Sequence, residues 1–161
     1  MATDVHRDKT KALATLLSDA FYTVRVHDAT DPVTEAAFDR VLLDAPCTGL
    51  GVIRRHPEIR WRRSPADIES RVILQTQLLH NAALAVSPGG VLVYSACSDA
   101  PEEGPELVAP FLAQHPEFAL EAAAEFCERR IAAGTTAAMV FGSAFPHAQD
   151  ALFTETRRRG L

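Results

Sequence analysis

No run of 18 apolar residues occurs in the sequence, so it offers no candidate membrane-spanning helix. Its first residues, Met-Ala-Thr-Asp-Val-His-Arg-Asp-Lys, hold no apolar stretch of the kind a secretory signal needs. Cysteine is scarce: Cys47, Cys97 and Cys127 stand far apart with no CxxC pair. An odd, sparse count argues against a disulfide framework and a zinc site, and it fits a reducing cytoplasm. His6, His27, His80, His115 and His147 show no metal-ligand spacing, so no metal is expected. Excess positive charge is also lacking. The formal net charge is −5, so contact with nucleic acid would have to come from a local patch. Repeats, low-complexity tracts and linkers are absent, and residues 1–161 read as one domain. With 161 residues, 47% hydrophobic and 23% charged, the chain can bury a sizeable core in the manner of ordinary globular proteins.

What is present alternates between helical and extended patterns. Asp8 to Ala20 places Leu13, Leu16, Leu17 and Ala20 at helical spacing. Phe21 to His27 is aromatic and β-branched and reads as a short strand, as does Phe38 to Asp44. Pro65 to Val86 reads as a long helix with Ser64 as N-cap and Pro65 at the first position. Ser87-Pro88-Gly89-Gly90 should stop it, and Val91 to Ser95 has the continuous apolar pattern of a buried parallel strand. A further helix is expected from Ala100 to about His115, with Glu102 and Glu103 in a first turn where the helix dipole favours acids. Phe118 to Ala124 and Ala151 to Thr156 are weaker strand candidates, and Glu125 to Gln149 shows no clear period. Strands alternating with helices imply a doubly wound α/β sheet, in which ligands sit beyond the carboxyl ends of strands. Asp28, Asp44 and Cys97 all fall just after such strands.

Two segments carry chemistry. Asp44-Ala45-Pro46-Cys47-Thr48-Gly49 and Tyr94-Ser95-Ala96-Cys97-Ser98 each follow a strand, and each puts a thiol on a loop. If the strands are neighbours, the thiols face one cleft. A thiolate adding to carbon 6 of cytosine would make carbon 5 able to attack an electrophilic methyl group, and a second thiol could help eliminate the first. An acid near ring nitrogen 3 would stabilise the adduct. Taken alone, without the flanking motifs, the same cysteines read more readily as inert small hydrophobes. A third segment, Arg54-Arg55-His56-Pro57-Glu58-Ile59-Arg60-Trp61-Arg62-Arg63, joins five arginines to one tryptophan. That suits phosphate contact plus base stacking, with a solvated loop and half-buried Trp61 as the alternative. Arg157-Arg158-Arg159 reads as a solvating tail.

The run from Phe38 to Trp61 (FDRVLLDAPCTGLGVIRRHPEIRW) closely resembles the fourth motif of the bacterial ribosomal RNA cytosine methyltransferases of the Fmu/Sun/RsmB type. Gly89-Gly90-Val-Leu-Val-Tyr94-Ser-Ala-Cys97-Ser98, followed by Pro101-Glu102-Glu103, is similar to the sixth motif of that family. The resemblance covers roughly Thr3 to His115, with a fainter echo from Phe145 to Phe153. It implies a Rossmann-like, S-adenosylmethionine-dependent methyltransferase fold acting on carbon 5 of cytosine in ribosomal RNA. By the same resemblance Cys97 is the nucleophile and Cys47 assists product release. Asp44 contacts the cofactor's amino group or the cytosine ring, Asp28 sits near the adenine, and Asp4 binds the ribose hydroxyls. Arg54, Arg55, His56, Arg60, Trp61 and Arg62 are the RNA-binding candidates. For Asp4 and Asp28, a solvated turn acid is the competing reading. Ala96 stands where the family usually has Thr.

Measured against that family, the fold is expected to be N-terminally truncated. The first strand and a glycine-rich loop resembling Ala-Ala-Pro-Gly-Gly-Lys-Thr do not precede Asp4, nor does the family's RNA-binding domain. That strand normally lies at the sheet's centre, so two strand edges should be left unpaired. A truncated or split gene, a strand supplied by a second chain or a second copy, and an inactive remnant all remain open. The functional alternatives are a covalent methyltransferase and a non-catalytic RNA- or partner-binding module. A methyltransferase acting on protein or small molecules would have no use for paired thiols.

Overall fold

The computed structural model describes residues 1–16, 23–33, 38–120 and 138–143. Its strands fall into two separate sheets. The smaller sheet joins β1 (Ala2–Asp4) in parallel to β2 (Val24–Val26), with α1 (Arg7–Leu16) between them. The larger runs β3–β4–β6–β5, from β3 (Phe38–Asp44), β4 (Val86–Ser95), β5 (Phe118–Leu120) and β6 (Ala138–Ser143). β3 and β4 are parallel, whereas β6 lies antiparallel between β4 and β5. α2 (Ile59–Arg62) and α3 (Pro65–Leu84) link β3 to β4, and α4 (Pro105–Gln114) follows β4.

α3 begins where the sequence places its cap. The Ser64 backbone N–H and hydroxyl both donate to the Asp67 carboxylate, at 2.8 and 2.7 Å, with Pro65 opening the helix. Its inward face carries Gln75, Leu78, Leu79 and Ala83. Leu79 and Leu92 are wholly buried and pack with Tyr94, Leu107, Val108 and Phe111, so the core lies between β4, α3 and α4. Truncating a side chain such as Leu79 in so dense a site costs about 2–5 kcal/mol.

Several elements depart from the sequence reading. The strand expected from Val91 already begins at Val86, whose partner is Phe38, and its register shifts between Phe38 and Arg40. The Pro88-Gly89-Gly90 segment therefore bends an existing strand. Gly89 takes φ +79°, and a Cβ on Gly90 would lie 3.0 Å from the Asp39 carbonyl oxygen. The helix expected from Ala100 is broken at Gly104 into a 3₁₀ turn, Pro101–Glu103, and α4. Within the stretch that showed no period, Ala138–Ser143 forms β6. The expected strand Ala151–Thr156 lies outside the described residues. Of the apolar stripe read in α1, Leu13 is half-buried and Leu16 is 81% exposed, and Leu17 and Ala20 lie outside the described residues.

The facing edges of β1 and β3 are not hydrogen-bonded to each other. A cavity of about 440 Å³ separates them, walled by Met1–Thr3 on one side and by Phe38 and Arg40–Leu43 on the other. Leu78, Asn81, Ala82 and Ala85 also line it. Asn81 Nδ2 ties the small sheet to α3 by donating to the carbonyls of Ala29 and Thr30, at 2.9 and 2.6 Å. Gln77 adds a third tie, to Thr30, at 3.1 Å.

Candidate active site

Parallel pairing of β3 with β4 sets Leu43 opposite Tyr94 and Asp44 opposite Ser95, so both loops leave the sheet at the same end. The ladder runs one step further, with Ala45 N–H donating to Ser95 O at 2.8 Å, before Pro46 removes the next donor. Three residues beyond Asp44 and two beyond Ser95, the thiols meet: Cys47 Sγ lies 3.0 Å from Cys97 Sγ. The Cys97 backbone N–H donates to Cys47 Sγ at 3.2 Å. Cys97 is exposed and Cys47 half-buried. Partial burial, chiefly, pushes the Cys97 thiol up to about 12, reinforced by the contact with Cys47 and by the nearby Asp44 charge. In the free protein Cys97 is therefore protonated at neutral pH.

Beneath the thiols lies a buried polar network. Glu103 is completely buried, and its carboxylate accepts from the Thr48 backbone N–H and from Gln75 Nε2, each at 2.9 Å. It also accepts from the Thr48 hydroxyl, which contacts the Ser98 hydroxyl at 3.1 Å. Gln75 Nε2 donates to Pro46 O at 3.0 Å as well. The Tyr94 hydroxyl donates to the Glu103 backbone carbonyl at 3.0 Å, and burial pushes its phenol well above the usual value. Residues flanking each cysteine are thus held from below.

The loop after Cys47 turns through Gly49, at φ +76°, into a 3₁₀ turn, Leu50–Val52. Gly51 N–H donates to Cys97 O at 3.1 Å, closing that turn against the other thiol loop. The arginine-rich segment follows. Arg63 Nε donates to Thr48 O at 3.1 Å, which anchors the segment's end to the thiol loop. Trp61 is 85% exposed rather than half-buried, and Arg54, Arg55, His56, Arg60 and Arg62 are exposed around it. Among the described residues no salt bridge engages these four arginines, and His56 lies 3.3 Å from Glu58.

Asp4 and Asp28 sit on the other sheet, Asp4 ending β1 and Asp28 two residues beyond β2. Asp4 Oδ1 accepts from the His6 backbone N–H at 2.7 Å, and Lys9 Nζ lies 3.7 Å from Oδ2. Asp28 Oδ1 accepts from the Thr30 backbone N–H and hydroxyl at 2.9 and 2.8 Å. These bonds, with the backbone donor the largest cause in each case, hold both carboxyls below the usual carboxylate range. The structure thus groups Cys47, Cys97 and Asp44 on one sheet and leaves Asp4 and Asp28 on the other. Among the described residues no hydrogen bond or ion pair links the two sets. Ionised carboxylates at two strand ends, each with acceptor capacity to spare, suit the hydroxyl and amino donors of a nucleoside. These two acceptors fit that side of S-adenosylmethionine.

Sequence reasoning missed Glu103, Gln75, Thr48, Ser98 and Arg63. Gln75 could have been found, because it is the polar residue on the apolar face of α3. Glu103 could not, since acids in a first turn are ordinarily solvated.

Comparison with known proteins places the chain. A model of the family described as 16S rRNA methyltransferase RsmB/F matches residues 1–156. The chain belongs to that family. Ribosomal RNA small subunit methyltransferase B of Thermus thermophilus is 56% identical over 94 residues, covering 58% of this chain and 23% of the relative. The Yersinia pseudotuberculosis protein of the same name is 47% identical over 97 residues, again covering 58% and 23%. The chain therefore spans about a quarter of the length of these curated relatives. Among solved structures, NSun6 from Pyrococcus horikoshii with SFG, an S-adenosylmethionine analogue, matches with TM-score 0.65 and 30% identity. That match covers 75% of this chain and 31% of the other. A methyltransferase homolog from the same organism matches with TM-score 0.61 and 30% identity, covering 76% and 38%. The fold is that of Rossmann-like methyltransferases, and among the described residues no strand joins its two sheets.

Proposed function

We propose that this chain is the catalytic part of an S-adenosylmethionine-dependent RNA methyltransferase that modifies carbon 5 of cytosine in ribosomal RNA, in the cytoplasm. The observation that carries the reading is the 3.0 Å approach of Cys47 Sγ to Cys97 Sγ at the mouth of two parallel strands. Cys97, the more exposed thiol, is the nucleophile that bonds to carbon 6 of the ring. Its raised pKa means that it must give up its proton as the base docks, and both Cys47 and Asp44 lie near enough to influence that proton. Asp44 then faces the ring or the cofactor's amino group, while Asp4 and Asp28 hold the ribose and adenine. Bound there, S-adenosylmethionine supplies an electrophilic methyl group to carbon 5. A base then takes the proton of carbon 5, the electrons of that C–H bond restore the double bond between carbons 5 and 6, and the Cys97 thiolate leaves, a release that Cys47 assists. The arginines around exposed Trp61 hold the RNA backbone, with the indole as a stacking surface.

The cavity between β1 and β3 has a strand edge on either side, each able to pair with one further strand. We infer that a second polypeptide segment, from another chain or from a longer form of this one, seats there and completes the cofactor pocket. The open cavity also favours a second reading, an RNA-binding module without catalysis. One experiment separates the two. The full chain is incubated with an RNA containing 5-azacytosine and S-adenosylmethionine, and covalent complex is scored on denaturing gels. The enzymatic reading predicts an adduct that Cys97→Ser abolishes. An adduct missing from the unmutated protein even when a polypeptide carrying the further strand is supplied, alongside salt-sensitive RNA binding indifferent to Cys97, would establish the second reading.

A further inference from the structure

We infer that Glu103 is a positioning residue that holds the two thiols in reacting register. The inference rests on the proposed covalent chemistry for its purpose but on geometry for its content. A wholly buried carboxylate is costly unless its oxygens are satisfied, and here three donors converge on it. Two come from Thr48, the residue after Cys47. The third, Gln75 Nε2, also grips the carbonyl of Pro46, the residue before Cys47. Cys47 is therefore clamped on both flanks through one side chain.

The clamp reaches Cys97 as well. The Thr48 hydroxyl meets the hydroxyl of Ser98, the residue after Cys97, and Ser98 Oγ accepts from the Ala100 backbone N–H at 3.2 Å. Glu103 in turn is fixed at its backbone by the Tyr94 hydroxyl. A chain of short polar contacts thus runs from Glu103 through Thr48 to Ser98, joining loops fifty residues apart. No part of it touches the sulfurs. Its effect on them is indirect, through the loop backbones, and reacting groups displaced by as little as an ångström lose much of their rate.

Thr48→Val keeps the residue's shape but removes the hydroxyl, while Thr48→Ser keeps the hydroxyl. Ser98→Ala cuts the chain at its other end, and Glu103→Gln keeps the volume of Glu103. The first readout is binding of phenylarsine oxide, which bridges two thiols, releases water and needs no RNA. Affinity should fall about tenfold in Thr48→Val and in Ser98→Ala, as expected for the loss of one net hydrogen bond, and return in Thr48→Ser. Glu103→Gln should fall between, because the Thr48 hydroxyl can turn to accept from the new amide. The second readout is the rate of adduct formation on 5-azacytosine RNA, which should fall in parallel while RNA affinity stays unchanged. If arsenical affinity responds as stated but unmutated protein forms no RNA adduct, the clamp stands and the catalytic reading fails. Arsenical affinity equal to that of unmutated protein in Thr48→Val, Ser98→Ala and Glu103→Gln alike would overturn the inference. Should Thr48→Val fail to fold, Ser98→Ala decides alone.

Discussion

The thiol loops and the acid-bearing ends of β1 and β2 belong to one fold but are held in different ways. Around the thiols, Thr48 and Glu103 bond across 55 positions, and Gln75 and Pro46 across 29. At the acids, each carboxylate is held, among the described residues, by residues within two positions of its own, apart from the exposed Lys9. The thiol geometry is therefore a product of tertiary packing, whereas the acids keep a conformation that any short turn could give. β1 and β2 are fastened to α3 chiefly by Asn81 and Gln77, across a cavity with strand edges on two sides. The half that would perform the bond chemistry is rigidly specified. The half that would hold the cofactor depends on whatever fills the cavity.

The strongest way to break that contrast is at the nucleophile. Cys97→Ser should lower adduct formation by on the order of a hundredfold or more, since an alcohol replaces the attacking thiol, while Cys47→Ser should still form an adduct and release it slowly. Gel quantification of Cys97→Ser on 5-azacytosine RNA, and of Cys47→Ser on cytosine RNA, whose carbon 5 carries the proton that release removes, checks this. Alkylation should be the next largest effect. Because the thiol of Cys97 is pushed up to about 12, its anion grows with pH, so iodoacetamide labelling at Cys97 should rise about tenfold per pH unit above neutrality. Mass-spectrometric labelling from pH 7 to 10 tests this, and a plateau below pH 9 would contradict it. At the proposed RNA surface, Trp61→Ala should weaken binding by about 1–3 kcal/mol, measured by filter binding. Arg60→Ala should reduce the salt slope of binding by about 1. The smallest effect belongs to the weaker half. Asn81→Ala should cost about 1 kcal/mol in chemical denaturation and leave arsenical binding at the thiols unchanged, because its bonds reach only the turn that follows β2.

The sequence was most informative where local chemistry and tertiary packing agree. Phe38–Asp44 is the expected strand residue for residue, because an apolar run ending at Asp44 and Pro46 is both a good strand and a clear stop. α3 starts at Pro65 because Ser64, Pro65 and Asp67 form a local cap that needs no other part of the chain. The thiol pairing was legible only conditionally, since it required β3 and β4 to be neighbours. What stayed hidden depends on distant partners. Glu103 reads as a solvated acid until α3 and the Cys47 loop close over it. β6 shows no alternation in sequence, and its place between two other strands rests on backbone pairing with distant segments that no local pattern announces. The split into two sheets followed from the family resemblance rather than from any periodicity.

The central claim is that two loops bring two sulfurs to one pyrimidine, with Cys97 as the one that bonds. Tandem mass spectrometry of the 5-azacytosine RNA adduct, after digestion of both partners, tests it directly. The claim predicts one modified nucleotide on the peptide containing Cys97, with Cys47 unmodified. A nucleotide mapped to Cys47, or an adduct that forms equally well in Cys97→Ser, would contradict it.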